Sequence, residues 1–198
     1  MICEEFRNLW KGVGDADSIV FNPYKWMGAQ FDCSIHFLKD ISLQKKTLTN
    51  VPEYLKTSGV ENITNLSELT IPLGRRFRAL KIWFLLRSEG LENLRKMIRN
   101  HIKWSKNLYN KLKKIEGIEI VTAPILSLFT FRFVNKEKEN LDEINEKILK
   151  DINDEGIIYL TQAKIDDKYV IRFVTGTFES KEQDVEKAFE VIQSKVII

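Results

Sequence analysis

The sequence predicts an α/β protein whose C-terminal part forms a separate α+β unit. Three observations support this fold class. Two apolar segments of strand length flank a lysine-bearing loop within the first forty residues. A long segment with apolar residues at helical spacing follows between residues 75 and 116. After residue 117, β-rich segments alternate with two amphipathic helical segments.

Composition and charge exclude several classes of protein. Hydrophobic residues make up 43% of the chain, enough for a core, and the net charge of +3 does not by itself indicate a nucleic-acid or membrane partner. Two histidines and two widely separated cysteines fit no zinc spacing, so we expect no metal site and no disulfide. No signal pattern and no apolar run of roughly 18 residues is found, which predicts a cytoplasmic protein.

The first forty residues predict a helix followed by two strands. Residues 4–12 have helical spacing, and residues 17–21 form an apolar run that we expect to be a buried strand. Asn22-Pro23 ends this strand, because proline lacks the N–H that a sheet requires. Residues 31–38 alternate partially and predict the second strand.

The segment from residue 39 to residue 70 has no clear periodicity and is rich in polar residues. A loop of about thirty residues is far longer than usual, and loops of that length are often functional lids or disordered. Tyr54 is its only aromatic residue. From the residues alone, Tyr54 is either a packing anchor or a functional group.

Two amphipathic helices are predicted after this loop, over residues 75–87 and 91–116, with Gly90 as a C-cap between them. The second helix should turn one apolar stripe toward a core: Leu94, Ile98, Ile102, Leu108, Leu112 and Ile115. Residues 75–114 are strongly basic. Most of these charges fit a solvated face, and the segment lacks the exposed aromatic residues of a nucleic-acid-binding surface.

The remaining residues predict an acidic α+β unit that starts near residue 117. We expect strands at 118–121, 126–134, 157–161 and 169–175, and helices at 141–153 and 181–193. Ser180 and Gln183 have the spacing of a capping box for the last helix.

Lys25 follows the first strand in an aromatic-rich turn, Val20–Met27. A lysine that attacks an aldehyde must lose its proton, which requires partial burial and a rigid mount. Asn22 has an amide that suits a phosphate oxygen, and Gly74 would open a helix whose N–H groups bind anions. The same pattern also fits a lysine that extends from an aromatic patch into solvent.

Three segments resemble the group II pyridoxal-phosphate-dependent decarboxylases, the family of aromatic-L-amino-acid decarboxylase. The first is Ala16–Trp26 with Phe31–Ser34, the second is Ile71–Phe84, and the third and weakest is Tyr169–Phe173. They occur in the family's order and extend over most of the chain. Pro52–Lys56 also resembles the family's mobile catalytic loop.

The resemblance implies a role for each candidate residue. Lys25 would form the Schiff base with pyridoxal 5'-phosphate, Asn22 and Gly74 would contact the cofactor, and Tyr54 would protonate the substrate's α-carbon after carbon dioxide leaves. Closure of the Tyr54 loop would exclude water and oxidative side reactions. Gly74 resembles the glycine of indole-accepting members, which favours an aromatic L-amino acid as substrate.

The resemblance also implies an aspartate-aminotransferase-like architecture (fold type I) and a homodimer with a shared active site. Residues 1–85 would be the tail of a large, mainly parallel-sheet domain that binds the cofactor. Residues 86–116 would form a connecting helix, and residues 117–198 a small C-terminal α+β domain. In such a dimer the Tyr54 loop and Gly74 would serve the neighbouring subunit's cofactor.

Two departures from the family pattern keep alternatives open. Tyr24 occupies the position of the family's histidine before the lysine, so any contact made by that histidine is in doubt. The family's chains are more than twice as long, and its pyridine-nitrogen aspartate, ring-stacking histidine and phosphate cup lie upstream of the lysine segment. We therefore expect an N-terminally truncated chain. The alternatives are an inactive fragment that associates with a longer subunit and a pyridoxal-phosphate aminotransferase.

Overall fold

The computed structural model describes residues 2–49, 65–135, 137 and 139–196. The chain divides into two compact units, one of residues 3–90 and the other of Ile2 with residues 91–198. The proposed domain limits at 85, 116 and 117 are a different division and stay a prediction. Among the described residues, no helix is long and apolar enough to cross a membrane.

The first unit contains a two-stranded antiparallel sheet and short helical segments. Two 3-10 helices, Glu4–Trp10 and Val13–Asp15, precede strands β1 (Ser18–Phe21) and β2 (Ile35–Leu38), which pair with Ser18 opposite Leu38. The prediction that the first strand is buried is wrong, since Val20 is 61% exposed. Within the described residues β1 and β2 form a sheet of two strands only, so each of them has one edge without a partner strand.

The polar segment after β2 contains a helix that the sequence analysis missed. Helix α1 spans Ile41–Leu48, and the Asp40 side chain caps it by accepting a hydrogen bond from the Ser42 N–H at 2.8 Å. A 3-10 helix follows at Leu66–Leu69. Gln44 Nε2 donates to the Leu69 carbonyl at 2.7 Å, which joins the two helices. Tyr54 and the remainder of the predicted long loop lie outside the described residues.

Helix α2 spans Ala79–Leu112 and is interrupted at Gly90. There φ is 73° and ψ is 158°, a conformation that only glycine adopts readily, so the predicted break at this residue is confirmed. The predicted helix start at residue 75 is wrong, because residues 75–78 are not helical. The predicted apolar stripe of the second half is confirmed: Leu94, Ile98, Ile102, Leu108 and Leu112 are buried, and Ile115 is partly buried.

The second unit places helices against a four-stranded antiparallel sheet. Its elements are β3 (Ile118–Ile125), β4 (Leu128–Phe133), α3 (Leu141–Asp154), β5 (Thr161–Ile165), β6 (Lys168–Val174) and α4 (Glu182–Ser194). The strand order is β3-β4-β6-β5, and every neighbouring pair is antiparallel. Its core joins Phe129, Phe131 and Phe133 to apolar residues of α3, α4 and the second half of α2.

Two local predictions in this unit need correction. The strand expected at 157–161 begins at Thr161, because the backbone of Leu160 bonds to the Asn153 side chain instead of to a strand, at 2.9 and 3.0 Å. The capping box of α4 lies one residue later than expected and pairs Lys181 with Asp184. Both described sheets are antiparallel, so the parallel sheet implied by the resemblance is not represented among the described residues.

Candidate active site

Lys25 is held in a tight turn directly after β1. The Lys25 N–H donates to the Asn22 carbonyl at 3.0 Å, and its own carbonyl accepts from the Gly28 N–H at 3.2 Å. The turn closes with a 3.1 Å bond from the Ala29 N–H to the Pro23 carbonyl. These bonds fix the backbone on both sides of the lysine. They supply the rigid mount that a lysine needs in order to attack an aldehyde.

The Lys25 side chain is exposed. The described residues therefore do not provide the partial burial that the sequence analysis expected. Within the described residues, no hydrogen bond or ion pair holds its ammonium group. The amine is thus available to a carbonyl carbon brought to this turn.

Two side chains of the turn contact the segment that leads into β2. Ser34 Oγ lies 2.6 Å from Asn22 Oδ1 and donates to it. The ring of Tyr24 meets that of Phe31 edge to face, with centroids 5.0 Å apart. The bond from Ser34 orients the Asn22 amide and leaves its nitrogen as a donor for an anionic oxygen.

Asp32, which the sequence analysis did not single out, accepts hydrogen bonds from three cationic side chains. Arg78 donates to Asp32 Oδ2 from Nη2 at 2.9 Å and from Nε at 3.1 Å, and Arg76 Nη2 lies 3.3 Å from the same oxygen. Lys81 Nζ donates to Oδ1 at 3.2 Å. Bonds from Arg78 and then Lys81 hold the pKa of the Asp32 carboxyl well below its usual range.

The backbone around Asp32 is tied to the same cationic segment. Lys81 Nζ also donates to the Phe31 carbonyl at 2.7 Å, and Cys33 Sγ lies 3.6 Å from the Arg78 carbonyl. We call residues 31–34 the brace, because they contact the lysine turn on one side and residues 78–81 on the other. A sequence signal was present: Asp32 is the only acidic residue between Asp17 and Asp40, and it lies directly between Phe31 and Cys33.

Gly74 lies in an exposed bend over residues 71–74, and a Cβ added to it would meet no atom within 4 Å. Because α2 begins at Ala79, Gly74 is not at a helix N-terminus, and the helix-dipole site expected there is not formed. No described contact brings Gly74 to the lysine turn.

A cavity of about 480 Å³ lies beside β2 and the start of α2. Its polar lining includes Ser34, His36, Arg75 and Arg76, so its walls are basic. A basic wall suits an anionic group. The residues that the structure describes contain no group of three or more His, Cys, Asp or Glu side chains that could hold a metal ion.

The described residues fit part of the contact set that pyridoxal phosphate needs. Lys25 offers an accessible amine for the cofactor's aldehyde, and Asn22 offers an oriented amide donor for a phosphate oxygen. Tyr54, the proton donor implied by the resemblance, lies outside the described residues. Asn22 and Lys25 belong to one turn and are the two candidate site residues that the structure brings together.

Comparison with known proteins gives the same family from sequence and from structure. Residues 1–134 match the family model described as the pyridoxal-dependent decarboxylase conserved domain. The chain is 35% identical over 201 residues to tyrosine decarboxylase 2 of Narcissus pseudonarcissus, covering 100% of this chain and 40% of the relative. It is 37% identical over 197 residues to aromatic-L-amino-acid decarboxylase of Manduca sexta, covering 100% and 38%.

A solved structure described as Oryza sativa TDC with PLP and tryptamine superimposes with a TM-score of 0.90 and 29% identity. The match covers 98% of this chain and 41% of that chain. The chain thus spans about 40% of the length of the relatives that it matches, in their C-terminal portion. By its family match over residues 1–134, this chain belongs to the pyridoxal-phosphate-dependent amino-acid decarboxylases, a family of carboxy-lyases.

Proposed function

We propose that the protein to which this chain belongs decarboxylates an aromatic L-amino acid, with Lys25 as the residue that binds pyridoxal phosphate covalently. The observation that carries the proposal is the lysine turn: a backbone fixed by three hydrogen bonds presents an amine that has no partner among the described residues. The aromatic preference is supported by relatives named for tyrosine and aromatic L-amino acids.

The residues of this chain have separate tasks in that reaction. Lys25 would hold the cofactor covalently through Nζ, by a condensation with its aldehyde group that would release one water. Asn22 Nδ2 donates to an anionic oxygen from the orientation that Ser34 imposes on its amide. When bound, the cofactor supplies a conjugated ring that accepts the electron pair left by departing carbon dioxide.

Tyr54 is the proposed donor of the proton that replaces the carboxylate on the substrate's α-carbon. The resemblance of Pro52–Lys56 to the family's catalytic loop supports this role, as does the chemistry of a phenol, which can give up and regain a proton. We further propose a homodimer in which Tyr54 and Gly74 serve the neighbouring subunit's site.

Chemical trapping tests the role of Lys25. Borohydride reduction of the protein mixed with pyridoxal phosphate is expected to leave a phosphopyridoxyl group on Lys25, found by peptide mapping. The Lys25→Ala variant should lose this label, whereas Lys39→Ala, which removes an exposed lysine of the same unit, should keep it. Label concentrated at another lysine would refute the proposal.

Complementation tests the shared site. Mixed dimers of Lys25→Ala and Tyr54→Phe subunits contain one intact site only if each tyrosine serves the partner's lysine. We expect the mixed dimers to form amine product, at about half the rate of wild type, and each variant alone to be strongly impaired. Mixed dimers as inactive as the two parents would show that both residues act within one subunit.

A second candidate function is association without turnover. Several large apolar side chains of residues 3–90 are exposed in this chain: Val20, Phe31, Phe37, Phe77, Trp83 and Phe84. Exposed apolar surface of this kind marks surfaces that bind other protein surfaces. Titration with pyridoxal phosphate separates the two functions. A chain that only associates leaves the absorbance spectrum of the cofactor unchanged and gives no label on Lys25 after reduction.

A further inference from the structure

We propose that Asp32 is a positioning residue for Lys25: its contacts with Arg78 and Lys81 anchor the brace, residues 31–34, which in turn holds the lysine turn. The inference rests on the proposed role of Lys25. It assigns to Asp32 no contact with substrate or cofactor.

The anchor is a set of contacts that immobilises Asp32 through both its side chain and its backbone. Arg78 directs two N–H groups to one carboxylate oxygen, and Lys81 reaches the other oxygen. Lys81 Nζ also lies 3.2 Å from the Asp32 carbonyl and 2.7 Å from the Phe31 carbonyl. One ammonium group therefore fixes two consecutive peptide units, which a simple surface ion pair does not do.

Arg76 contributes less to this anchor than Arg78. Its side chain is 76% exposed, compared with 34% for that of Arg78, and it makes one contact of 3.3 Å. Exposed single ion pairs add little stability, because water screens them and the long side chain must be ordered. The bonds from the partly buried Arg78 and Lys81 to Asp32 therefore contribute most to holding the brace.

The link from the brace to the lysine turn consists of the two residues that flank the anchor. Phe31 packs edge to face against Tyr24, the residue directly before Lys25. Ser34 Oγ donates to Asn22, whose carbonyl accepts the Lys25 N–H. A shift of the brace therefore moves the residue before the lysine and the acceptor of its N–H together.

Charge balance makes the anchor depend on a carboxylate at position 32. Three cations, Arg76, Arg78 and Lys81, meet one anion in this cluster. Removing the anion leaves the three cations facing one another, so the cluster separates instead of keeping its geometry. A glutamate keeps the charge and, with one additional methylene, can still reach the two partly buried cations.

The experiment uses the whole protein and measures which lysines react with pyridoxal phosphate. Wild type, Asp32→Asn and Asp32→Glu are incubated with limiting pyridoxal phosphate and reduced with borohydride. Mass spectrometry then gives the ratio of label on Lys25 to label on Lys187, an exposed lysine of α4 in the same molecule. We expect Asp32→Asn to lower this ratio roughly tenfold, since small displacements of a reacting group have large effects on rate, and Asp32→Glu to stay within about twofold of wild type.

The labelling ratio separates positioning from general stability. A purely structural role would lower the melting temperature of Asp32→Asn but leave the ratio unchanged in the folded protein, and that result would overturn the inference. Wild type without preferential label on Lys25 would refute the proposed function instead. If Asp32→Asn does not fold, Lys81→Gln, which releases the two carbonyls, is expected to lower the ratio about threefold, and an unchanged ratio in that variant would overturn the inference.

Discussion

The two units of the chain are held together in different ways. Residues 91–196 contain the continuous apolar core, with Phe129, Phe131 and Phe133 of β4 fully buried beneath α2, α3 and α4. Among the described residues of 3–90, few apolar side chains are buried and several large ones are exposed, and the tertiary contacts include the pairing of β1 with β2 and the Asp32 cluster. The unit with the candidate site is thus ordered by polar contacts, whereas the other unit is ordered by packing.

The difference has a physical consequence for stability. Burial of apolar area supplies most of the free energy of folding, and an exposed ion pair supplies little. The second unit should therefore fold cooperatively, while the first should open locally at lower free energy. Four predictions test this comparison of the two units.

The largest effect is expected from the core of the second unit. Phe131→Ala removes a fully buried ring that packs against Phe129 and Phe133, so it should lower the free energy of unfolding by about 3–5 kcal/mol. Tyr159→Ala is the control, because Tyr159 is 79% exposed and its loss should change stability by less than about 0.5 kcal/mol. Urea unfolding measures both. Equal effects for the two variants would contradict a core at β4.

A smaller effect is expected from the buried amide that joins α3 to β4. Asn145 Oδ1 accepts from the Phe133 N–H at 2.7 Å and Asn145 Nδ2 donates to the Phe133 carbonyl at 2.8 Å. Asn145→Ala leaves both backbone groups unsatisfied and should lower the free energy of unfolding by about 1–3 kcal/mol. Asn107→Ala, on an exposed position of α2, should have no destabilising effect. If Asn145→Ala destabilises the protein no more than Asn107→Ala does, water replaces the amide as hydrogen-bond partner of the Phe133 backbone.

As the pH falls, the free energy of unfolding of the second unit should decrease at a higher pH than that of the first unit. His101 is buried, and desolvation lowers its pKa below the ordinary 6.5, against an opposing hydrogen bond to the backbone of Ser180. The unfolded chain therefore binds the proton more readily, so the stability contribution is complete above about pH 6.5 and decreases as the pH falls through the lowered value. The slope should be at most about 1.4 kcal/mol per pH unit.

The control for this prediction is the pH response of the first unit. The pKa of Asp32 is also lowered, from 3.8, so its contribution is complete above that value and is lost only in stronger acid. His101→Gln should flatten the stability of the second unit between pH 7 and pH 5, measured by urea unfolding at each pH. If the free energy of unfolding depends on pH equally steeply in wild type and His101→Gln, His101 is not the group responsible for the loss of stability.

The smallest effect is expected within the first unit. Arg78→Gln should increase hydrogen exchange of the amides of residues 18–38 several-fold, because it removes two bonds to Asp32. Arg76→Gln removes one bond of a more exposed side chain and should leave exchange nearly unchanged. Hydrogen exchange followed by mass spectrometry measures both. Equal exchange in the two variants would show that the exposed arginine matters as much as the partly buried one.

Predictions from the sequence were correct where the residues of one short segment decide its structure. The lysine turn follows from Asn22-Pro23, and the break in α2 from a glycine whose φ is 73°. The apolar stripe of α2 follows from helical spacing. The family was recognised because its three motifs are local sequence patterns, and the match over residues 1–134 confirms it.

The errors arose where a side-chain contact that periodicity does not encode decides the local structure. Leu160 does not extend a strand because the Asn153 side chain takes both its backbone groups. Asp32 was not singled out from the sequence, because its partners Arg78 and Lys81 lie more than forty residues further along the chain. No periodicity within a window of the sequence shows such a pair.

The family, the candidate lysine and the helical stripe of the second unit could be inferred from the residues alone, because each depends on neighbouring residues or on a short repeat. The exposure of the Lys25 amine and the contacts by which Asp32 ties the brace to the start of α2 became known from the three-dimensional fold. The fold also places the apolar core in the second unit. Burial and ion pairing depend on which distant segments meet, and the free energy of folding selects those contacts for the chain as a whole.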